Sequence, residues 1–344
     1  MHCDVPAFLK SKVFIAVLAV ALAGLAGAAG TAAWVLQRVE APGPLAEDLV
    51  HIVPSGAGVN RIAADLEETG VITSSLLFRL YVRYRGAEMK LRAGEYEFRS
   101  GASMVEIFDS LVAGRTVLHR VTVPEGLTSY EAVALLNAAG PLTGTAQIPD
   151  EGSILPETYA FTRDQDRNEI VAHMKEAMAR TLAELWADRA EDLPIKTPEE
   201  AVILASIVEK ETGIAEERPR VAAVFVNRLR KRMRLQSDPT VIYVLSDGKG
   251  RLDRELLLKD LEIESPYNTY RVAGLPPGPI CNPGRASLAA VLNPIESKEL
   301  YFVADGTGGH VFAKTLAEHE RNVRNWRKIR RDQRRKARQQ QQEP

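Results

Sequence analysis

The sequence predicts an α+β protein carried on an N-terminal transmembrane helix, with a small α+β module followed by a larger mixed α+β domain. Three observations lead there. A run of 25 uncharged residues, 13–37, opens the chain. Strand-like and helix-periodic segments alternate from 49 to 140. Capped helices and loops dense in polar motifs then fill 141–326.

The uncharged run, "VFIAVLAVALAGLAGAAGTAAWVLQ", is long enough as a helix to cross a bilayer core of about 30 Å. It exceeds the usual apolar core of a signal peptide, although Ala26-Gly27-Ala28 leaves cleavage as the alternative. Lys10, Lys12 and the amino terminus outweigh Arg38, which predicts residues 1–12 in the cytoplasm and the chain beyond the linker (38–48) outside. The expected topology is therefore a single-pass membrane anchor.

Net charge is −1 over 344 residues, of which 45 % are hydrophobic. Residues 327–338 hold eight Lys/Arg and one Asp, a local +7 that leaves −8 for the rest. That balance excludes a generally basic nucleic-acid binder. The tail 327–344 reads as a basic helix end fraying into disorder, with anionic headgroups or wall polymers as alternative contacts. Cys3 and Cys281 lie on opposite sides of the predicted membrane, so no disulfide is expected, and no spacing suggests a metal or cofactor site. Cys281 reads as a small buried residue.

In the module 49–140, the strand "LVHIVPSG" precedes a helix whose Val59, Ile62, Ala63 and Leu66 recur at helical spacing and which Gly70 closes. A second helix, about 74–85, is expected to pack through Leu77, Leu80, Tyr81 and Tyr84. "LRAGEYEFR" reads as a strand, and Met104, Ile107, Phe108 and Leu111 mark a third helix. A second strand-turn-helix follows at a constant offset of 70 residues, with Val53, Pro54, Gly56 and Gly70 falling on Val123, Pro124, Gly126 and Gly140. Either shared turn chemistry or duplication of a small unit accounts for the match.

In 141–326, Thr197, Pro198 and Glu200 make a helix-start signal for "AVILASIVEKET", which Gly213 ends. Glu209 shares a helix face with Val202, Ala205 and Ser206, two of them small, which leaves room for a ligand. Its place in the last turn, against the negative end of the helix dipole, and partial burial both favour a protonated general acid. Exposed helix-end charges are the plain reading of Glu209 and Glu211.

Further motifs follow: "VFVNRL", "LQSDPTVIY", "SPYNTY", "GLPPGPICNPG", "LYFVAD" and "GGHVFAKTLAEH", with "EGSILPETYAF" upstream. Their order and spacing resemble the endolytic murein transglycosylases (MltG, YceG-like), across most of 45–326. Glu157 stands where that family usually has Asp. The segment 49–140 resembles the divergent LysM version found in these proteins. The resemblance implies cleavage of the β-1,4 bond between N-acetylmuramic acid and N-acetylglucosamine in nascent peptidoglycan strands, leaving 1,6-anhydromuramic ends and terminating elongation. It implies Glu209 as the catalytic residue. One carboxyl can protonate the leaving oxygen and then take the proton of the sugar's own C6 hydroxyl, so no second carboxylate is required.

Candidate substrate contacts are Glu151, Tyr159, Glu211, Gln236, Ser237, Asp238, Asn268, Tyr270 and Asn282. Aromatic faces suit sugars, and the polar side chains suit hydroxyls and acetamides. Gln236, Ser237 and Asp238 serve equally as caps for the next helix. His310 is a turn residue or a groove donor. The expected partners are glycan strands, the membrane and, as further candidates, peptidoglycan synthases. Two other readings stay open: a glycoside hydrolase using Glu209 with Asp238, and a membrane-anchored glycan-binding scaffold whose site has decayed.

Overall fold

A computed structural model describes residues 7–340 and divides the chain into two compact units. One comprises the chain up to His119 together with Thr162–Asp164; the other comprises Arg120–Phe161 and everything from Gln165. Cys3 lies outside the described residues.

The first unit begins with α1 (Ala7–Glu40), unbroken because nothing in its sequence stops a helix before Ala41 and Pro42. Its stretch Phe14–Glu40 has a mean hydropathy of 2.1 and is apolar and long enough to cross a membrane. Its last turns belong to the unit's core, where Val39 is fully buried and Val35 packs at the edge. There follow β1 (Leu49–Val53), α2 (Val59–Glu68), α3 (Ser75–Tyr84), β2 (Gly94–Phe98) and α4 (Met104–Ala113). β1 pairs antiparallel with β2, Leu49 opposite Phe98 and Val53 opposite Gly94. Ser103 and Glu106 form a reciprocal capping box on α4, whose Met104, Ile107, Phe108 and Leu111 are buried at the predicted spacing. Arg163 forks onto the buried Glu95 carboxylate at 3.0 and 3.2 Å, which is why Thr162–Asp164 groups with this unit.

α3 departs from the predicted packing. Phe78, Tyr81 and Val82 are its buried residues, whereas Leu80 and Tyr84 are 49 % and 76 % exposed. The apolar residues of "SLLFRLYVRY" cover roughly two thirds of the helix's circumference, so periodicity alone could not choose which part of that arc faces inward.

The second unit holds β3 (His119–Thr122, whose first residue belongs to the other unit), α5 (Ser129–Ala138), β4 (Thr158–Phe161), α6 (Arg167–Ala187), α7 (Pro198–Glu211), α8 (Arg218–Arg230), α9 (Asp238–Leu245), α10 (Arg285–Leu292), β5 (Tyr301–Ala304), β6 (His310–Ala313) and α11 (Leu316–Gln340). Short 3-10 turns at Ala215–Glu217 and Leu258–Glu262 interrupt the loops. The second strand-turn-helix therefore falls outside the module predicted for 49–140. Pairing decides this: β3 joins β4, and Ala132, Val133 and Leu136 of α5 pack with Ile170, Val171 and Met174 of α6. The described part of the tail is helical, since α11 continues to Gln340. It docks by Trp326 and Ile329 against Gly306 in the β5–β6 turn, with Gln333 donating to the Gly306 carbonyl.

α7 is the centre of this unit, buried continuously from Ala201 to Val208. Thr197 caps it by accepting the Glu200 N–H at 3.2 Å, and Glu200 reaches back to the Lys196 N–H at 2.6 Å. It ends at Glu211 rather than Gly213, because Thr212 turns the chain into an extended conformation. Residues 279–284 lie along its length. Ser206 donates to the Ile203 carbonyl at 2.7 Å and accepts the Ile280 N–H at 3.0 Å. Gly152 has φ +75°, and a Cβ there would collide with Pro279 and Val202.

Ser206→Ala would orphan the buried Ile280 N–H, and urea unfolding should show a loss of about 1–3 kcal/mol. Ser287, whose buried hydroxyl lacks a partner, is the contrast: Ser287→Ala should be neutral or stabilising.

Candidate active site

α7 ends by presenting two glutamates about 200° apart around its axis. Glu211, its last residue, turns towards the start of α9. There Ser237 sits at the N-cap position but makes no side-chain cap. Its hydroxyl instead donates to the Glu211 carboxyl at 2.5 Å. Ser237 is held for this by its own N–H, which donates to Thr269 Oγ1 at 2.9 Å, and Thr269 Oγ1 lies 2.9 Å from Thr240 Oγ1. The hydroxyl expected to stabilise a helix serves the neighbouring carboxyl.

Glu211 lines a cavity of about 390 Å³ together with Gln236, Asp238, Tyr270, Arg228, His310 and His319, among others. The Tyr270 hydroxyl donates to Asp238 at 2.6 Å. Gln236 adopts a left-handed backbone (φ +53°), and its N–H donates to the Thr269 carbonyl at 3.1 Å. Arg228 is buried, donating to Leu300 O at 2.6 Å, Leu235 O at 2.8 Å and Gln236 Oε1 at 3.3 Å. Glu217 accepts both the backbone N–H of His310 at 2.8 Å and its Nδ1 at 2.6 Å. A ring protonated only at Nδ1 leaves Nε2 as an acceptor.

Burial pushes the Glu211 carboxyl up to about 7, with Asp238 adding to the rise and Ser237, His310 and Arg228 opposing it. Burial, the bond to Asp238 and the nearby carboxylates also raise the Tyr270 hydroxyl. Burial and the Arg228 charge lower His319. The cavity thus contains a carboxyl that burial pushes up to about 7, beside the Arg228 guanidinium, Asp238 and uncharged hydrogen-bonding groups.

Glu209 faces elsewhere. The Gly284 N–H donates to its Oε2 at 2.9 Å, and Arg218 Nη2 lies 3.7 Å from Oε1 and 3.8 Å from Glu125. Burial, then the Glu209 charge, raise the Glu125 carboxyl. The small residues beneath Glu209 are present, but the chain itself uses the space they leave: residues 279–284 pack there through the Ser206 contact.

Of the sequence-predicted contacts, Glu211, Gln236, Asp238 and Tyr270 meet in the one cavity, and Ser237 stands behind Glu211. Asn268 is fully buried, donating to Leu261 O at 3.0 Å and Ile263 O at 2.8 Å. Asn282 is fully buried too, its amide donating to Leu127 O, Ser129 Oγ and Glu151 Oε1 and accepting from Ile154 N–H. Glu151 also accepts the Ser129 N–H at 2.8 Å, and burial raises its carboxyl. The Tyr159 hydroxyl donates to Leu155 O at 2.7 Å. These four sit in the frame of the unit rather than in the Glu211 cavity. Arg228, Glu217 and His319 went unremarked in the sequence, though Arg228 lies within "VFVNRL", where an arginine amid apolar residues is itself a signal. Among the described residues no group of His, Cys, Asp or Glu side chains is arranged to hold a metal ion. Cys281 is buried, its thiol donating to Ser206 O.

Residues 51–325 match the YceG-like family model. The chain belongs to the YceG-like family. It is 34 % identical over 301 residues to an endolytic murein transglycosylase of Bacillus subtilis, covering 78 % of this chain and 82 % of the relative. A Streptococcus pneumoniae protein of the same name is 29 % identical over 324 residues, 79 % of this chain but only 57 % of that longer relative. A crystal structure of a YceG-like protein from Listeria monocytogenes superposes with a TM-score of 0.50 at 32 % identity, covering 80 % of this chain and 98 % of that one.

A buried carboxyl raised in the folded state destabilises it once the unfolded carboxyl ionises. That penalty is absent below about pH 4, where both forms are protonated, and is complete above the folded value near 7. Glu211→Gln should therefore raise the melting temperature at pH 8 and leave it nearly unchanged at pH 4, as read by calorimetry.

Proposed function

We propose that this protein is an endolytic peptidoglycan lytic transglycosylase whose general acid is Glu211. The observation that carries the assignment is the place of the Glu211 carboxyl, bonded by Ser237 inside a polar cavity, where burial pushes it up to about 7. The names of its relatives supply the substrate class. The substrate is the β-1,4 bond between N-acetylmuramic acid and N-acetylglucosamine within nascent strands. Protonated Glu211 gives its proton to the bridging oxygen as the bond to the muramic anomeric carbon breaks. The C6 hydroxyl of the same sugar attacks that carbon, and its proton passes to the Glu211 carboxylate, restoring the acid. A 1,6-anhydro end forms, no water is consumed, and strand elongation stops.

The remaining groups fit this cycle. Ser237 holds the carboxyl at its bond distance. Gln236, Asp238, Tyr270 and the Nε2 of His310 offer hydrogen bonds to hydroxyls and acetamides. Glu209 becomes a supporting residue, tying α7 to the Gly284 backbone. We further propose that α1 anchors the chain in the inner membrane with everything beyond it outside the cytoplasm. In this reading the first unit is a LysM-like module that positions glycan, and peptidoglycan synthases are the partners that deliver it. Asp238 shares the cavity and keeps one rival reading open, hydrolysis with a second carboxylate, which would leave reducing ends.

Mass spectrometry of products from purified glycan strands tests both. Anhydro ends should dominate. Glu211→Gln should cut them by the roughly 100- to 10,000-fold typical of a lost general acid/base, while Glu209→Gln, if folded, should retain substantial turnover. Asp238→Asn should slow the reaction without changing the product. Because the acid must be protonated, the rate should fall as pH rises through about 7. Near-normal cleavage by folded Glu211→Gln would return the acid to Glu209.

A further inference from the structure

The outward face of α3 is an apolar feature that neither the core nor the cavity uses. Leu76, Leu80 and Tyr84 recur at every fourth residue and are 57 %, 49 % and 76 % exposed. We propose that this face rests in the headgroup–acyl boundary of the bilayer that α1 crosses; the inference relies on the membrane-anchor reading above.

Continuity with α1 is the first support. A bilayer core of about 30 Å takes up about 20 helical residues, which from Val13 ends close to Ala33. Trp34 follows, half exposed, with the Arg38 guanidinium 5.6 Å from its ring centre. An aromatic ring and a cation at that point match the composition of a membrane–water interface. Within the next turn Val35 and Val39 enter the core of the first unit. The folded unit therefore starts at the membrane surface, with no spacer between.

The phase of α3 is the second. The helix packs on α2 and α1 and, through Tyr81 edge-on to Phe108, on α4. Phe78, Tyr81 and Val82 point inward, and Arg79 marks the α2 flank by donating to Asn60 at 3.4 Å. At about 100° per residue, the Leu76, Leu80 and Tyr84 stripe lies on the flank away from Asn60 and opposite the buried face. Arg83, exposed beside the stripe, supplies a cation for headgroup phosphates. Leucines and a tyrosine with arginine at their border are what a helix lying in the interface requires. In water the same face would be an unexplained apolar patch.

The test uses full-length protein in phospholipid nanodiscs with Cys3→Ser, leaving buried Cys281 as the one native thiol. A nitroxide is placed singly at Leu80→Cys, Tyr84→Cys, Leu25→Cys within α1, or Glu67→Cys on α2, and its collisions with oxygen and with an aqueous nickel chelate are compared. The labels at 80 and 84 should show raised oxygen and reduced nickel access relative to Glu67→Cys, approaching those at 25. Aqueous readings at 80 and 84 with a lipid reading at 25 would overturn the inference and leave the anchor standing. An aqueous reading at 25 would remove the anchor and the inference together.

Discussion

The short hydrogen bond between Ser237 and Glu211 is the contact on which the proposed chemistry depends. It joins the last residue of α7 to the first turn of α9 across a gap that would otherwise leave a buried carboxyl unpartnered. A buried ionised carboxylate is costly, and a single hydroxyl donor only partly offsets that cost. Burial therefore pushes the Glu211 carboxyl up to about 7, so that part of the population keeps its proton near neutrality. The same position on an exposed helix end would be an ordinary surface charge.

The frame around the pair is rigid for identifiable reasons. α7 is buried along eight consecutive residues, Ala201 to Val208, so its end cannot shift independently. Residues 279–284 are pinned to it through Ser206, and Asn282 ties that loop to Leu127, Ser129, Ile154 and Glu151. Gln236 holds a left-handed backbone between Arg228 and Thr269. A non-glycine residue in that region costs some energy, which the bonds to its neighbours offset.

Much of the fold was legible because it rests on local rules. The α4 pattern, the Thr197 start of α7 and the strand at 49 all follow from spacing and capping. Where several registers were equally apolar, as in α3, sequence could not select the buried face. The grouping of β3 with β4 is a non-local pairing, invisible to periodicity. The site was legible as a set of motifs but not as a geometry. Glu209 and Glu211 are two residues apart, and small residues beneath Glu209 suggested an opening there. That space is taken by residues 279–284, whose approach is a tertiary fact. Asn268 and Asn282, polar and surrounded by glycine, proline and tyrosine, resembled ligand contacts while serving as internal braces.

The protonation state of Glu211 is the central claim, and carbon-13 NMR reads it directly. In protein labelled at glutamate carboxyls, the resonance absent from a folded Glu211→Gln variant is that of residue 211. Its titration midpoint should lie near pH 7, well above the ordinary carboxyl value. A midpoint near 4.5 would mean that Glu211 is ionised at neutral pH and is not the acid.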